Sequence, residues 1–371
     1  MRVERRLALA YLLVALGAAA IAMLAWVGRA QQPLLDRIDR LTLDTQMLWR
    51  GRLAPAAEPG LLLVSIDDAS LQRLRSFVPD RGQLAQAIER LDAGGARLIV
   101  LDLLLLDPAR PDPASDLVLA AAMRASGKVL IPIALPRDSE PSAPPAAYLL
   151  DQALMSHGGA EALLALQPSR LVAPIEPLAR AARALGHVTV LRGGDGAVRF
   201  DLPALGFDGE VYPSLALRIA ALAAGVDWPQ VHMQFGEQLR LGERRIPVDE
   251  RSRQWLNYYG PAGSFETVSF IDLLDGKVAP ARLRGRIALV GVAAIGAGDS
   301  FASPFDAGLP GVERLATVVD NILSQRVLAR PAWGAGPNSP RCWACRCWRW
   351  VCWPAGRSAG PWPAWACWPC C

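Results

Sequence analysis

Apolar residues fall in short blocks along this chain, separated by charged stretches at helical spacing. The block Leu61-Leu62-Leu63-Val64-Ser65-Ile66 is short and almost wholly apolar, and predicts a buried strand. Asp67 and Asp68 follow it. Leu84, Ile88 and Leu91 then recur among charges at helical spacing, and Gly94-Gly95 ends that helix. Leu98-Ile99-Val100-Leu101 predicts a second strand with Asp102 at its end, running on into Leu103 to Leu106. Strand, helix and strand in this order form a parallel crossover unit. The rest of the chain is organised around it.

Before that unit, Arg2, Arg5 and Arg6 precede an uncharged run from Leu7 to Val27. About twenty apolar residues are enough to cross a bilayer as a helix. Trp26 and Arg29 sit where interfacial anchors do, and the leading arginines favour a cytoplasmic amino end. Everything after Ala30 is then expected outside the cytoplasm. The alternative is a cleaved signal peptide with Gly28 and Ala30 before the cut. Asp36 to Gly51 predicts an amphipathic helix leaving the membrane, and Ala54 to Gly60, with two prolines, a linker.

Beyond the crossover unit, Leu117 to Ala125 predicts a helix and Val129 to Leu135 a strand that Pro132 demotes toward an edge. Asp138 to Ala146 is a solvent loop, and Pro177 to Leu185 a helix. Gly193 to Gly196 predicts a turn between Gly186–Val190 and Val198–Leu202. Tyr212 to Ala224 predicts a helix, Gln238 to Val248 a hairpin around Gly242, and Trp255 to Tyr259 a strand. Phe265 to Leu274 passes from strand to helix near Ser269. Arg286 to Val292 is the last buried strand, and Pro310 to Gln325 goes from loop to helix. The fold class expected is α/β: a mixed, largely parallel sheet flanked by helices, preceded by an N-terminal transmembrane helix.

Composition adds three points. With 371 residues, 52% of them hydrophobic, and a mean hydropathy of +0.21, the chain is apolar enough to include a membrane segment. A net charge of +4, evenly spread, argues against a nucleic-acid partner. From about Pro331 the character changes: the remainder holds all seven cysteines and eight of the twelve tryptophans, and no Leu, Ile, Asp or Glu. No packed domain has that composition. GC-rich codons for Leu-Ala-Leu, read one base out, give Trp-Arg-Cys or Trp-Arg-Trp, as in Cys347-Trp348-Arg349-Trp350. The tail is therefore expected to be a frameshifted membrane region. The domains expected are 1–30 (cytoplasmic terminus and membrane helix), 34–330 (extracytoplasmic domain) and 331–371 (anomalous tail).

An ordered set of motifs runs through the central domain: Val64 to Leu71, Gly95-Ala96-Arg97 through Asp102, Gly186-His187-Val188, Asp195 to Arg199, Tyr259-Gly260-Pro261, Val268-Ser269-Phe270, Ile287 to Gly291, Asp299 with Ser303-Pro304, and Pro310-Gly311-Val312-Glu313. The set resembles the type-two CHASE domain, an extracytoplasmic sensing module of membrane histidine kinases, nucleotide cyclases and protein kinases. Two departures are local: the aromatic-proline pair after the first strand is reduced to Phe77-Val78-Pro79, and Leu315 replaces a histidine common after Pro-Gly-Val-Glu. The resemblance implies a sensory input module of a transmembrane receptor, in the inner membrane, without catalysis of its own and without its kinase or cyclase output. It implies the bilayer and an extracytoplasmic small molecule as partners, and allows a homodimer through the Asp36–Gly51 helix and the membrane segment. The chain then reads as the N-terminal part of a membrane cyclase or histidine kinase.

The chemistry expected is sparse. Asp67, Asp68 and Asp102, with Asp299, lie at carboxyl ends of predicted strands and are candidates to bind a cation or an amine. The bland alternative is that they cap helices. An extracytoplasmic hydrolase using Asp67 and Asp102 is the enzymatic alternative, and an envelope assembly protein a third. His157, His187 and His232 lack ligand spacing, and no cofactor or metal is expected. Gly291 to Gly298 lacks the Lys-Ser/Thr of a phosphate loop, and the Cys-x-x-Cys motifs fall in the tail.

Overall fold

The computed structural model describes residues 33–329, apart from 77, 137–144, 155–167 and 295, and Gly17 before them. The expected membrane helix, the tail, most of the 138–146 loop and His157 lie outside the described residues. Among the described residues no helix is long and apolar enough to cross a membrane. Residues up to Arg50 and residues from Gly51 onward are two compact units. The first contains α1 (Pro33–Arg50), the amphipathic helix expected there, with Leu41, Leu48 and Trp49 exposed.

The second unit begins with β1 (Leu61–Ile66), buried along its whole length, and α2 (Asp68–Leu74). Helix α3 (Arg81–Ala93) opens with a capping box: Asp80 accepts from the Gln83 amide at 2.8 Å and Gln83 accepts from the Asp80 amide at 2.9 Å. Then come β2 (Leu98–Asp102), α4 (Ser115–Ser126), β3 (Val129–Ile133), α5 (Ala147–Leu150), α6 (Glu176–Ala181) and β4 (Ala184–His187). A run of short strands follows: β5 (Phe200–Asp201), β6 (Ala204–Phe207) and β7 (Glu210–Pro213), then α7 (Leu215–Ala224). Strands β8 (Val231–Gln234), β9 (Gln238–Leu241) and β10 (Arg244–Pro247) form an antiparallel sheet, and β11 (Gln254–Trp255) pairs with β5. The chain closes through β12 (Thr267–Ser269), α8 (Phe270–Leu274), α9 (Pro280–Leu283), β13 (Ile287–Val292), β14 (Ser300–Phe301), β15 (Leu309–Pro310) and α10 (Gly311–Ser324).

The main sheet has the order β12-β1-β13-β2-β3-β4, and every pairing in it is parallel. The unit β1-α3-β2 is thus a crossover, but its strands are not neighbours: β13 enters between them. One face of the sheet, with Leu62, Val64, Ile99, Leu101, Ile131, Leu185 and Val290, packs on Leu84, Ile88 and Leu91 of α3 and Leu119 and Met123 of α4. Helices α7 and α10 cover the other face.

Glycines set how closely those two helices approach. A Cβ on Gly186 of β4 would lie 2.5 Å from the Leu215 Cα at the start of α7. One on Gly291 of β13 would lie 2.7 Å from the Val312 Cβ in α10. Because the obstacle at Gly186 is backbone, Gly186→Ala is expected to cost about 1–3 kcal/mol in urea unfolding. Gly194→Ala, with nothing within 4 Å, is expected to leave the midpoint unchanged or slightly raised. Equal midpoints for the two variants would refute the close-approach argument.

Three expectations are corrected. Strand β3 is not an edge, because it pairs with β2 and β4 on its two sides. Its β2 ladder ends at Leu130, whereas its β4 ladder continues to Ile133. The Lys128 carbonyl faces β2 and the Val129 carbonyl faces β4, so Pro132 turns its missing N–H toward the β2 side, past the end of that ladder. The helix expected over 177–185 ends at Ala181, and Ala184 and Leu185 are already strand. Tyr212 belongs to β7, and α7 starts only after Ser214, whose hydroxyl caps it through the Leu217 amide at 3.1 Å.

Candidate functional site

At the carboxyl edge of the parallel sheet, Ser269, Ser65, Gly291 and Asp102 stand in register across β12, β1, β13 and β2. This is the edge where open α/β sheets place ligands. Three of the four positions carry small residues, so Asp102 is the large polar group of the row.

The four expected acids do not gather into one cluster. Asp67 caps α2: it accepts from the Ser70 amide at 2.9 Å, the Ser70 hydroxyl at 2.6 Å and the Ser269 hydroxyl at 3.0 Å. Burial pushes its pKa up, but these hydrogen bonds outweigh burial and hold it below the usual carboxylate value. The capping alternative therefore describes what this carboxylate does in the structure. Asp68 is exposed in the first turn of α2. Asp299 is exposed after β13, and its carbonyl accepts from the Gly311 amide at 2.8 Å. Of the other three acids, Asp299 is the one whose charge acts on Asp102. Burial pushes Asp102 up to about 6; Arg314 opposes the shift and Asp299 adds to it. Asp102 still keeps partial contact with solvent.

Sequence reasoning missed the groups gathered around Arg314, whose charge also acts on Asp102. Arg314, on the first turns of α10 and 4% exposed, donates to Asp201 of β5, 5% exposed, at 2.8 Å. The Arg314 guanidinium also lies 5.5 Å from the Phe301 ring centroid. Gln254 stands opposite Asp201 in the β5–β11 pair, so the two side chains share a face. His187 at the end of β4 is 2% exposed; burial first, then the Arg314 charge, lowers its pKa to about 3, so the imidazole is neutral. Both ring nitrogens of His187, both amide atoms of Gln254, Asp201 Oδ2 and Arg314 Nε are buried without a hydrogen-bond partner among the described residues. They are also closed to solvent, so this is packed polar interior rather than an open pocket. Among the described residues no group of three His, Cys, Asp or Glu side chains is placed to hold a metal ion.

A ligand-sized space lies at the opposite, amino edge. A cavity of about 610 Å³ is lined by Pro55 to Leu61, Ser264 to Glu266, Arg284 to Arg286 and Asp320. Its surroundings join the incoming and outgoing segments of the domain. Asp320 on α10, fully buried, accepts from the amides of Ala56 and Ala57 at 3.1 and 2.8 Å and from the Tyr259 hydroxyl. Arg326, just past α10, donates to the Ala54 carbonyl at 2.9 Å. Helix α10 therefore reaches from Arg314, beside Asp102, to the clasp at Asp320, and it is buried from Val312 to Leu323.

Searches among curated proteins and among solved structures each found no match. A family model described as the CHASE2 domain matches residues 18–354, which is most of the chain and includes the whole sheet and α10. The chain belongs to the CHASE2 domain family, a family of sensory modules.

Proposed function

We propose that this chain is the extracytoplasmic input module of a transmembrane signalling receptor, tethered through the apolar 7–27 run and working by shifting the segments that lead to the membrane. One observation carries the reading: the segment entering the domain (Ala54 to Ala57) and the one leaving it (Asp320 to Arg326) are hydrogen-bonded to each other. A clasp of this kind makes the separation of the incoming and outgoing segments a property of the domain's state. A ligand that prefers one state then biases that separation, and its differential affinity sets the size of the signal. Family membership supports the sensory part of the reading. The hydrolase alternative is weakened by Asp67, whose carboxylate is engaged by Ser70 and Ser269.

A reporter fused after residue 330 tests the topology in bacterial cells. Alkaline phosphatase, which matures only outside the cytoplasm, is expected to be active there. A fluorescent protein that folds only inside is expected to be dark. The reverse pattern would overturn the proposal.

A further inference from the structure

We propose that the cavity at the amino edge of the sheet binds a small zwitterion of the α-amino-acid type. This deepens the sensory reading and rests on it. At about 610 Å³ the cavity falls within the size range of small-molecule sites. Its charged lining sorts into engaged and free groups. The Asp320 oxygens are taken by Ala56, Ala57 and Tyr259. Arg286 pairs with Glu266 at 3.3 Å, and Glu266 also takes Arg282 at 2.9 Å. Two lining charges remain without a hydrogen bond or ion pair among the described residues: Glu58, on the incoming linker, and Arg284, at the turn before β13.

Both side chains are exposed, and they give the cavity wall one unengaged charge of each sign, which favours a ligand carrying both. An anion would answer Arg284 and meet Glu58 unfavourably; a cation would do the reverse. A molecule carrying a carboxylate and an ammonium answers both. The Arg284 guanidinium offers a planar fork that matches a carboxylate through two parallel hydrogen bonds, and Glu58 accepts from an ammonium. The position also suits a sensor. The walls come from the incoming linker, the outgoing helix and the starts of β1 and β13, so an occupant touches both sides of the Asp320 clasp.

The test uses the full chain in lipid nanodiscs. An equimolar mixture of the twenty amino acids is titrated first, then each singly, with the melting midpoint and heat of binding as readouts. The N-acetyl derivative and the methyl ester of the best binder each remove one of its charges. The mixture is expected to raise the midpoint, and either derivative to bind at least ten-fold more weakly. Arg284→Met and Glu58→Gln, both on exposed side chains, are expected to keep the ligand-free midpoint and each to lose at least ten-fold in affinity. No response to the mixture, or full affinity retained in both variants, would overturn the proposal. Binding to purified chain does not depend on membrane side. A negative titration with an outward-facing reporter therefore removes the cavity assignment alone, and an inward-facing reporter removes the sensory reading.

Discussion

Arg314→Met is expected to destabilise the domain by about 3–5 kcal/mol, the cost of leaving one partner of a buried ion pair alone. Arg314 and Asp201 are 4% and 5% exposed, and their 2.8 Å contact is the bond that answers the Asp201 charge. Removing the guanidinium leaves a carboxylate in the interior with one oxygen already unpartnered. Methionine fills a similar volume, so the loss is electrostatic and not a cavity effect. The paired variant Arg314→Met with Asp201→Leu is expected to recover most of the stability, because both desolvated charges are gone. Urea unfolding of the two single variants and the double variant gives the coupling directly. A single-variant loss below about 1 kcal/mol would show that the pair is solvated, contrary to its burial.

What the sequence made legible was local. The β1-α3-β2 unit could be read because a buried strand and an amphipathic helix each leave a pattern within a few turns of chain. The placement of β13 between β1 and β2 left no such trace: it is a pairing of residues some two hundred positions apart, settled by tertiary contact. The hairpin β6–β7 was readable and was missed. Phe207-Asp208-Gly209-Glu210 carries the Asp-Gly signal of a tight hairpin, and both turn residues have positive φ, 51° and 82°. At the site, the strand-end rule found Asp102. It did not find Arg314, because an arginine among charges on a helix usually faces water, and here α10 is buried on all sides. Nor did it separate Asp67 from Asp102. Both follow apolar strands, but only one is followed by a serine three residues on, placed to be capped.

The second large effect is on pH dependence, where Asp102 and His187 act in opposite directions. Asp102 titrates near 6 in the folded chain against an ordinary 3.8, so between about pH 4 and 6 the folded state holds a proton that the unfolded state has released. Its contribution therefore falls as pH rises, by up to about 1.4 kcal/mol per unit. Solvent at the exposed part of Asp102 trims the total to about 1–2 kcal/mol. His187 titrates near 3 against an ordinary 6.5, so from about pH 6.5 downward the unfolded state takes up a proton that the folded state refuses. Its contribution is full above that range and is lost as pH falls. Between pH 4 and 6 the two slopes oppose, and the wild-type chain is expected to show little net dependence from this pair; below pH 4 Asp102 no longer offsets His187, Asp67 adds a loss of the same sign, and stability drops. Asp102→Asn leaves the His187 slope uncovered, so stability should climb steadily from pH 4 to 6 and exceed wild type at pH 7. His187→Gln leaves the Asp102 slope, so stability should fall over the same window. Urea midpoints at half-unit pH steps separate the three curves. If Asp102→Asn runs parallel to wild type across this window, Asp102 is solvated in the folded chain and the polar interior beside it is open to water.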